Sequence, residues 1–185
     1  MASAGSERHR SIKDRVISAL EGAGDLTEAV VSTVSGTIME TLRGARGVGV
    51  EIGDLVADTV IGAIDGAAEV GGSISDAAKG AVIGVLRGTK DTDASGLDAI
   101  TETARTVIRR TSDVGEDLAE ATRGAIEGAI EGAREFGIDV GKAASAAARG
   151  AADAAAKIGT SAVEEVNAVT QTFTNDGTDS RPDAR

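Results

Sequence analysis

Equivalent residues recur 44 positions apart along this chain, and few folds accommodate such a spacing. Gly36-Thr-Ile-Met-Glu-Thr-Leu42-Arg43-Gly44 is answered by Gly80-Ala-Val-Ile-Gly-Val-Leu86-Arg87-Gly88 and by Gly124-Ala-Ile-Glu-Gly-Ala-Ile130-Glu131-Gly132. The same interval relates Val70-Gly71, Val114-Gly115 and Ile158-Gly159, and also Glu51, Ser95 and Asp139. An earlier segment, Val16 to Ala23, matches Val60 to Ala67 without a gap. A period of this length is the mark of stacked supersecondary units, each covering the apolar face of its neighbour. One repeat domain is expected over 11–173, starting and ending in mid-unit. The polar segments 1–10 and 174–185 are expected to be irregular tails.

Within each unit the local signals are helical. Apolar residues recur three and four positions apart, as in Leu118, Ala121, Ala125, Ile126 and Ala129, and strand-like alternation is weak. Capping boxes mark helix starts at Asp25 with Glu28, Ser73 with Asp76, Ser95 with Asp98 and Ser161 with Glu164. Gly24, Gly71 and Gly159 suit left-handed positions at helix ends. Further breaks fall at 47–49, at 91–96 and near Gly137. The pattern predicts helices over 11–23, 25–45, 51–70, 73–90, 96–112, 115–136, 139–157 and 161–172. The fold class is all-α, built from helical hairpins of 44 residues stacked as a solenoid or layered bundle. The alternative is a set of long helices with a right-handed supercoil, since 44 is also four elevens. The density of capping signals favours hairpins.

Glycine placement is the second constraint. Gly80, Gly84 and Gly88 lie four apart, as do Gly124, Gly128 and Gly132, and Gly62 with Gly66. Residues four apart share a helix face, so each series is a groove without side chains that another backbone can approach closely. These eight glycines are expected to pack helices inside the fold, or else to form a ridge for self-assembly or lipid.

Composition removes most chemistry. The 185 residues hold no Cys, Trp or Tyr and one histidine, His9. No nucleophile–histidine–acid arrangement and no cysteine or histidine zinc site can be assembled, and no Walker loop is present. No catalytic, cofactor-binding or metal site is expected on these grounds. A net charge of −11 repels phosphate backbones, so nucleic acid is not an expected partner. Charges interrupt every apolar run, and MASAGSERHR has no signal-peptide core, so a cytoplasmic location is expected.

One segment, Asp91-Thr-Asp93-Ala-Ser95-Gly96-Leu97-Asp98-Ala-Ile-Thr-Glu102, resembles the EF-hand calcium loop. The resemblance implies Asp91, Asp93, Ser95, the Leu97 carbonyl and Glu102 as ligands. Asp98 stands where that family places an aliphatic residue, and no second loop is present to pair with it. The alternative makes Ser95 a helix cap and Asp98 its partner.

The phrase Gly115-Glu-Asp-Leu-Ala-Glu-Ala-Thr-Arg-Gly-Ala-Ile-Glu-Gly-Ala-Ile-Glu-Gly-Ala-Arg134 resembles small bacterial proteins of unknown function rich in Gly-Ala-Ile-Glu-Gly-Ala repeats. The Ala-rich stretch from Lys142 to Lys157 is similar to late-embryogenesis-abundant and phasin-type helices. Those families protect membranes or coat polyester granules. The lower lysine content and the strict spacing here depart from the desiccation type. The expectation is a non-enzymatic helical repeat scaffold or interaction protein that self-associates through its Gly-xxx-Gly faces as a homo-oligomer or filament. The alternative is an amphipathic coat on a membrane, lipid or granule surface, or a stress-protective protein.

Overall fold

Ser73, Ser95, Asp117 and Asp139 stand 22 residues apart, and each begins a helix. In the computed structural model, which describes residues 2–23, 25–44, 52–90, 92 and 95–176, each of these four adopts extended backbone. Its side-chain oxygen accepts the backbone N–H three residues on, from Asp76, Asp98, Glu120 and Lys142 respectively. That bond satisfies a donor that the first helical turn would otherwise leave open. Helix ends keep a similar rhythm. Gly71, Gly115 and Gly137 have φ of +66°, +78° and +70°. Just behind them the N–H groups of Gly72, Glu116 and Ile138 donate back to the carbonyls of Ala67, Thr111 and Ala133, at 2.9, 3.0 and 2.9 Å. This closure requires a left-handed residue, and glycine adopts it without a Cβ clash. Gly159 differs from the expectation: its φ is +151° with ψ of 178°, an extended turn rather than a left-handed cap.

The elements are α1 (Ala2–Ala23), α2 (Leu26–Gly44), α3 (Ile52–Glu69), α4 (Ile74–Thr89), α5 (Gly96–Val114), α6 (Leu118–Phe136), α7 (Val140–Ile158) and α8 (Thr160–Asp176). No strand occurs among the described residues. The chain reverses between successive helices, so long uninterrupted rods are not its architecture. Two expectations about the ends need correction. α1 runs back to Ala2, through the segment expected to be a tail, because nothing between Ser6 and Ser11 breaks a helix that Ile12 and Val16 anchor in the core. α8 starts at Thr160 and continues to Asp176, into the segment expected to be irregular from 174. Ser161 therefore lies inside α8 instead of capping it, and its hydroxyl donates to the Glu165 carboxylate at 3.5 Å. The predicted breaks at Gly24 and 47–49 lie outside the described residues.

The broadest contacts join helices two apart in the chain: α2 to α4, α4 to α6, α5 to α7 and α1 to α3. Odd-numbered helices thus form one layer and even-numbered helices the other, with successive helices touching across the gap. The interlayer core includes Val34, Leu55, Ile64, Ile74, Val107 and Ile108. A second cluster holds Val82, Leu86, Ile100 and Ile126, with Phe136 and Phe173 against it. The buried side of α7 carries only Ala143, Ala146, Ala147, Gly150, Ala151, Ala154 and Ala155. Each such side chain removes little area from water, so cohesion comes from close and numerous contacts. Three core threonines bond within their own helices: the hydroxyls of Thr59, Thr89 and Thr122 donate to Leu55, Val85 and Leu118 carbonyls at 2.7, 2.8 and 2.7 Å.

Candidate functional site

The glycine faces are the chain's most distinctive surface, and they are covered from within. All eight glycines expected to pack helices are buried. A Cβ at Gly80 would stand 2.7 Å from the Thr27 carbonyl oxygen, and one at Gly84 2.8 Å from Val34 Cβ. At Gly88 it would stand 2.9 Å from Ile38 Cβ, and at Gly66 3.0 Å from Val16 Cβ. The fit is tighter on α6, where Gly124 leaves 2.0 Å to the Ser75 oxygen and Gly128 2.6 Å to the Lys79 oxygen. A Cβ at Gly132 would stand 2.6 Å from Leu86 Cδ1. At a ninth position, Gly150 on α7, a Cβ would overlap the Thr101 carbonyl oxygen. In every pair the glycine belongs to the later helix and the incoming group to the helix two before it. Gly150 was not singled out from the sequence because it has no glycine one turn away. Gly36 and Gly53, by contrast, have nothing within 4 Å of a Cβ.

The incoming partners do not follow a single spacing. Ser75 lies 49 residues before Gly124, as Lys79 does before Gly128 and Thr101 before Gly150. Thr27 lies 53 residues before Gly80, and Lys13 lies 53 before Gly66. The longer interval is one of numbering: counted from the caps at Asp25, Ser73 and Asp117, Thr27 and Ser75 both stand two residues on, and Gly80 and Gly124 both stand seven on. Its cause is local. Asp25 caps α2, its carboxylate accepting the Glu28 N–H at 3.0 Å. That places the turn four residues before the position that the interval of 22 between later caps assigns to it.

Charged side chains stitch the layers along their outer surfaces. Lys13 pairs with Glu69 at 2.6 Å, Lys79 with Glu131 at 2.7 Å, Arg87 with Glu135 at 2.9 Å and Arg105 with Asp153 at 2.9 Å. Arg110 takes Asp65 in a two-pronged contact, 2.5 Å from Nε and 2.9 Å from a terminal nitrogen. Hydrogen bonds donated to Glu69 and Glu131 raise the pKa values of Lys13 and Lys79 above the ordinary lysine value, against a smaller desolvation effect. Asp153 and Asp65 do the same for Arg105 and Arg110. Water screens the exposed pairs among these, so they fix register more than they hold the fold.

The calcium-loop resemblance does not extend to the geometry. Asp91 and Asp93 lie outside the described residues. Ser95 caps α5, its hydroxyl accepting the Asp98 N–H at 3.5 Å. Leu97 is already in the first turn of α5, and its carbonyl accepts the Thr101 hydroxyl at 3.0 Å. Glu102 is engaged by Arg105. A helix that starts at Gly96 sets Leu97 and Glu102 about 140° apart around its axis. Accordingly, Glu102 borders a groove with Ile52 and Val56, whereas Leu97 borders another with Lys142 and Arg149, and Ser95 stands at the edge of both. The capping alternative accounts for the three described positions.

The outer faces are polar. Glu7, Arg10, Ser11, Asp14, Arg15 and Ser18 line an open surface on α1, and α8 exposes Glu164, Glu165 and Asn167. Among the described residues the exposed large hydrophobic side chains are Val70 and Ile158, at 44% and 40%. No described helix is long and apolar enough to cross a membrane. His9 falls within α1.

No protein-family model matches the chain, and no curated protein matches it in sequence.

Proposed function

We propose that this protein is a non-enzymatic helical-repeat scaffold, one that works by presenting its outer surface to other macromolecules. The observation that carries this reading is the use made of its distinctive groups. The glycine series receive neighbouring backbones, and the cations with perturbed environments, Lys13, Lys79, Arg105 and Arg110, each face a carboxylate on an adjacent helix. Groups committed to neighbours in this way serve architecture, and what remains for partners is a charged exterior. Copies of the chain, in this reading, meet through their outer helix faces, because the glycine faces first expected to join them are already filled.

The same burial weighs against an amphipathic coat. A coat needs each helix to offer its apolar face to an interface, and here those faces are turned towards one another. Vesicle flotation combined with circular dichroism separates the two. The scaffold reading predicts protein left in the unbound fraction with unchanged helicity. Flotation accompanied by rising helical signal would replace the scaffold by the coat.

A further inference from the structure

Three reversals of the chain are made in one way. Gly71-Gly72-Ser73, Gly115-Glu116-Asp117 and Gly137-Ile138-Asp139 each pass from a left-handed glycine to a residue whose side chain caps the next helix. The reversal from α7 to α8 has neither device. It is made on Gly159 alone, between Ile158 and Thr160, with φ of +151° and ψ of 178°. Residues with side chains scarcely enter that region, and such a conformation persists only where the surrounding packing imposes it.

Gly159 already belongs to both helices. Its N–H donates to the Ala155 carbonyl at 3.0 Å, as the next residue of α7 would, and its carbonyl accepts the Val163 N–H at 3.1 Å, the first bond of α8. Rotation of this one residue to helical angles lets Thr160, Ser161 and Ala162 donate to Ala156, Lys157 and Ile158, and makes Val140–Asp176 a single helix. α8 then leaves the place where Ala162, Val166 and Val169 are buried and Phe173 packs against the second core cluster. The vacated groove of a second copy offers these side chains identical cover. Short hinges held under strain favour such exchange of an element between copies.

We propose that α8 is exchanged between two copies of this chain, with Gly159 as the hinge. This goes beyond the scaffold reading and is independent of it, since copies that merely touch through outer faces each keep their own α8. A second observation agrees. α8 runs back along α7, with Ala162 and Val166 clustered beside Ala155 and Ala151 and Phe173 beside the cluster that holds Ala147. In the exchanged pair the two joined helices therefore lie antiparallel, their Gly159 residues at the centre, and the two bodies meet through the ends at which α3 and α7 finish. Those ends carry Val70 and Ile158, the exposed large hydrophobic side chains among the described residues. Water meets them in the single chain, and the same face of the second copy meets them in the pair.

A Cβ at Gly159 would touch nothing within 4 Å, so Gly159→Ala acts on the backbone alone, disfavouring the reversal and favouring the joined helix. Parent and variant, each an equal mixture of isotope-labelled and unlabelled chains, are unfolded in urea, refolded together at high concentration and sized by light scattering. Circular dichroism checks that each folds. The variant is expected to dimerise with a dissociation constant about a hundredfold below the parent's, about tenfold for each of two hinges. In isotope-filtered spectra of the parent and variant dimers, the Phe173 ring is expected to give cross-peaks to alanine methyl groups of α7 on the other copy. A second variant, with Glu-Asp inserted between Gly159 and Thr160 to restore the capped reversal, is expected to stay monomeric. A folded Gly159→Ala chain that stays monomeric overturns the proposal. So does a dimer without Phe173 cross-peaks between copies, which would leave contact through outer faces as the way copies join.

Discussion

A methyl group on residue 124 would lie 2.0 Å from the Ser75 carbonyl oxygen, whereas one on residue 36 would meet nothing within 4 Å. Both glycines lie inside helices, so the same substitution should have opposite consequences at the two sites. Gly124→Ala forces backbones apart, and overpacking of this kind costs about 3 kcal/mol. Gly36→Ala removes the conformational freedom of a helical glycine and stabilises by about 1 kcal/mol. Urea unfolding of the two variants beside the parent reads the sign directly, and equal effects at both positions would refute the assignment of the glycine faces. The faces themselves were legible in the sequence, because residues four apart must lie on one side of a helix. Their partners were not. A spacing reports which side is bare and says nothing about which helix comes to cover it, so the choice between internal packing and self-assembly waited on Val30, Val34, Ser75 and Lys79.

At the level of the helix, capping decided what could be read. Ser73 and Ser95 announce α4 and α5 by a hydroxyl followed three residues later by an acid, and both cap as expected. Asp117 was passed over because the run Gly115-Glu-Asp reads equally as a helix already begun. In the structure Gly115 closes α5 and Asp117 opens α6, its carboxylate accepting the Glu120 N–H at 2.9 Å. Asp139 was missed as a cap because Lys142, not an acid, follows it at the third position. Around the calcium-loop resemblance the same signal was legible: Ser95 followed by Asp98 is the capping alternative, and Ser95 caps α5. Replacement of the missed cap, Asp117→Ala, is expected to lower stability by about 1 kcal/mol. Thermal or urea unfolding provides the check, and an unchanged midpoint would mean that α6 does not depend on that oxygen.

For the whole molecule, the sequence interval of 44 residues led to the all-helical class, and of the eight helices among the described residues seven begin within three residues of expectation. It did not reveal that the first two helices meet the next two across a longer sequence interval, because that interval arises from the position of one turn, at Asp25, and leaves the glycine spacing intact. Nor could it foretell α1 running back to Ala2, since a polar helix anchored at one end by Ile12 and Val16 has the composition of a tail. The polar exteriors of α1 and α8 give the stack ends that water can cover, as terminal units of stacked folds require. The account as a whole rests on close backbone contact between each helix and the one two before it. Nuclear Overhauser spectroscopy measures that contact most directly. Cross-peaks are predicted from the Gly128 α-protons to the Lys79 α-proton and from the Gly150 α-protons to the Ala104 methyl, since the Cβ direction at these glycines points to those atoms at 3.0 and 3.2 Å. A fully assigned spectrum lacking both, with water contacts at these glycines in their place, would contradict it.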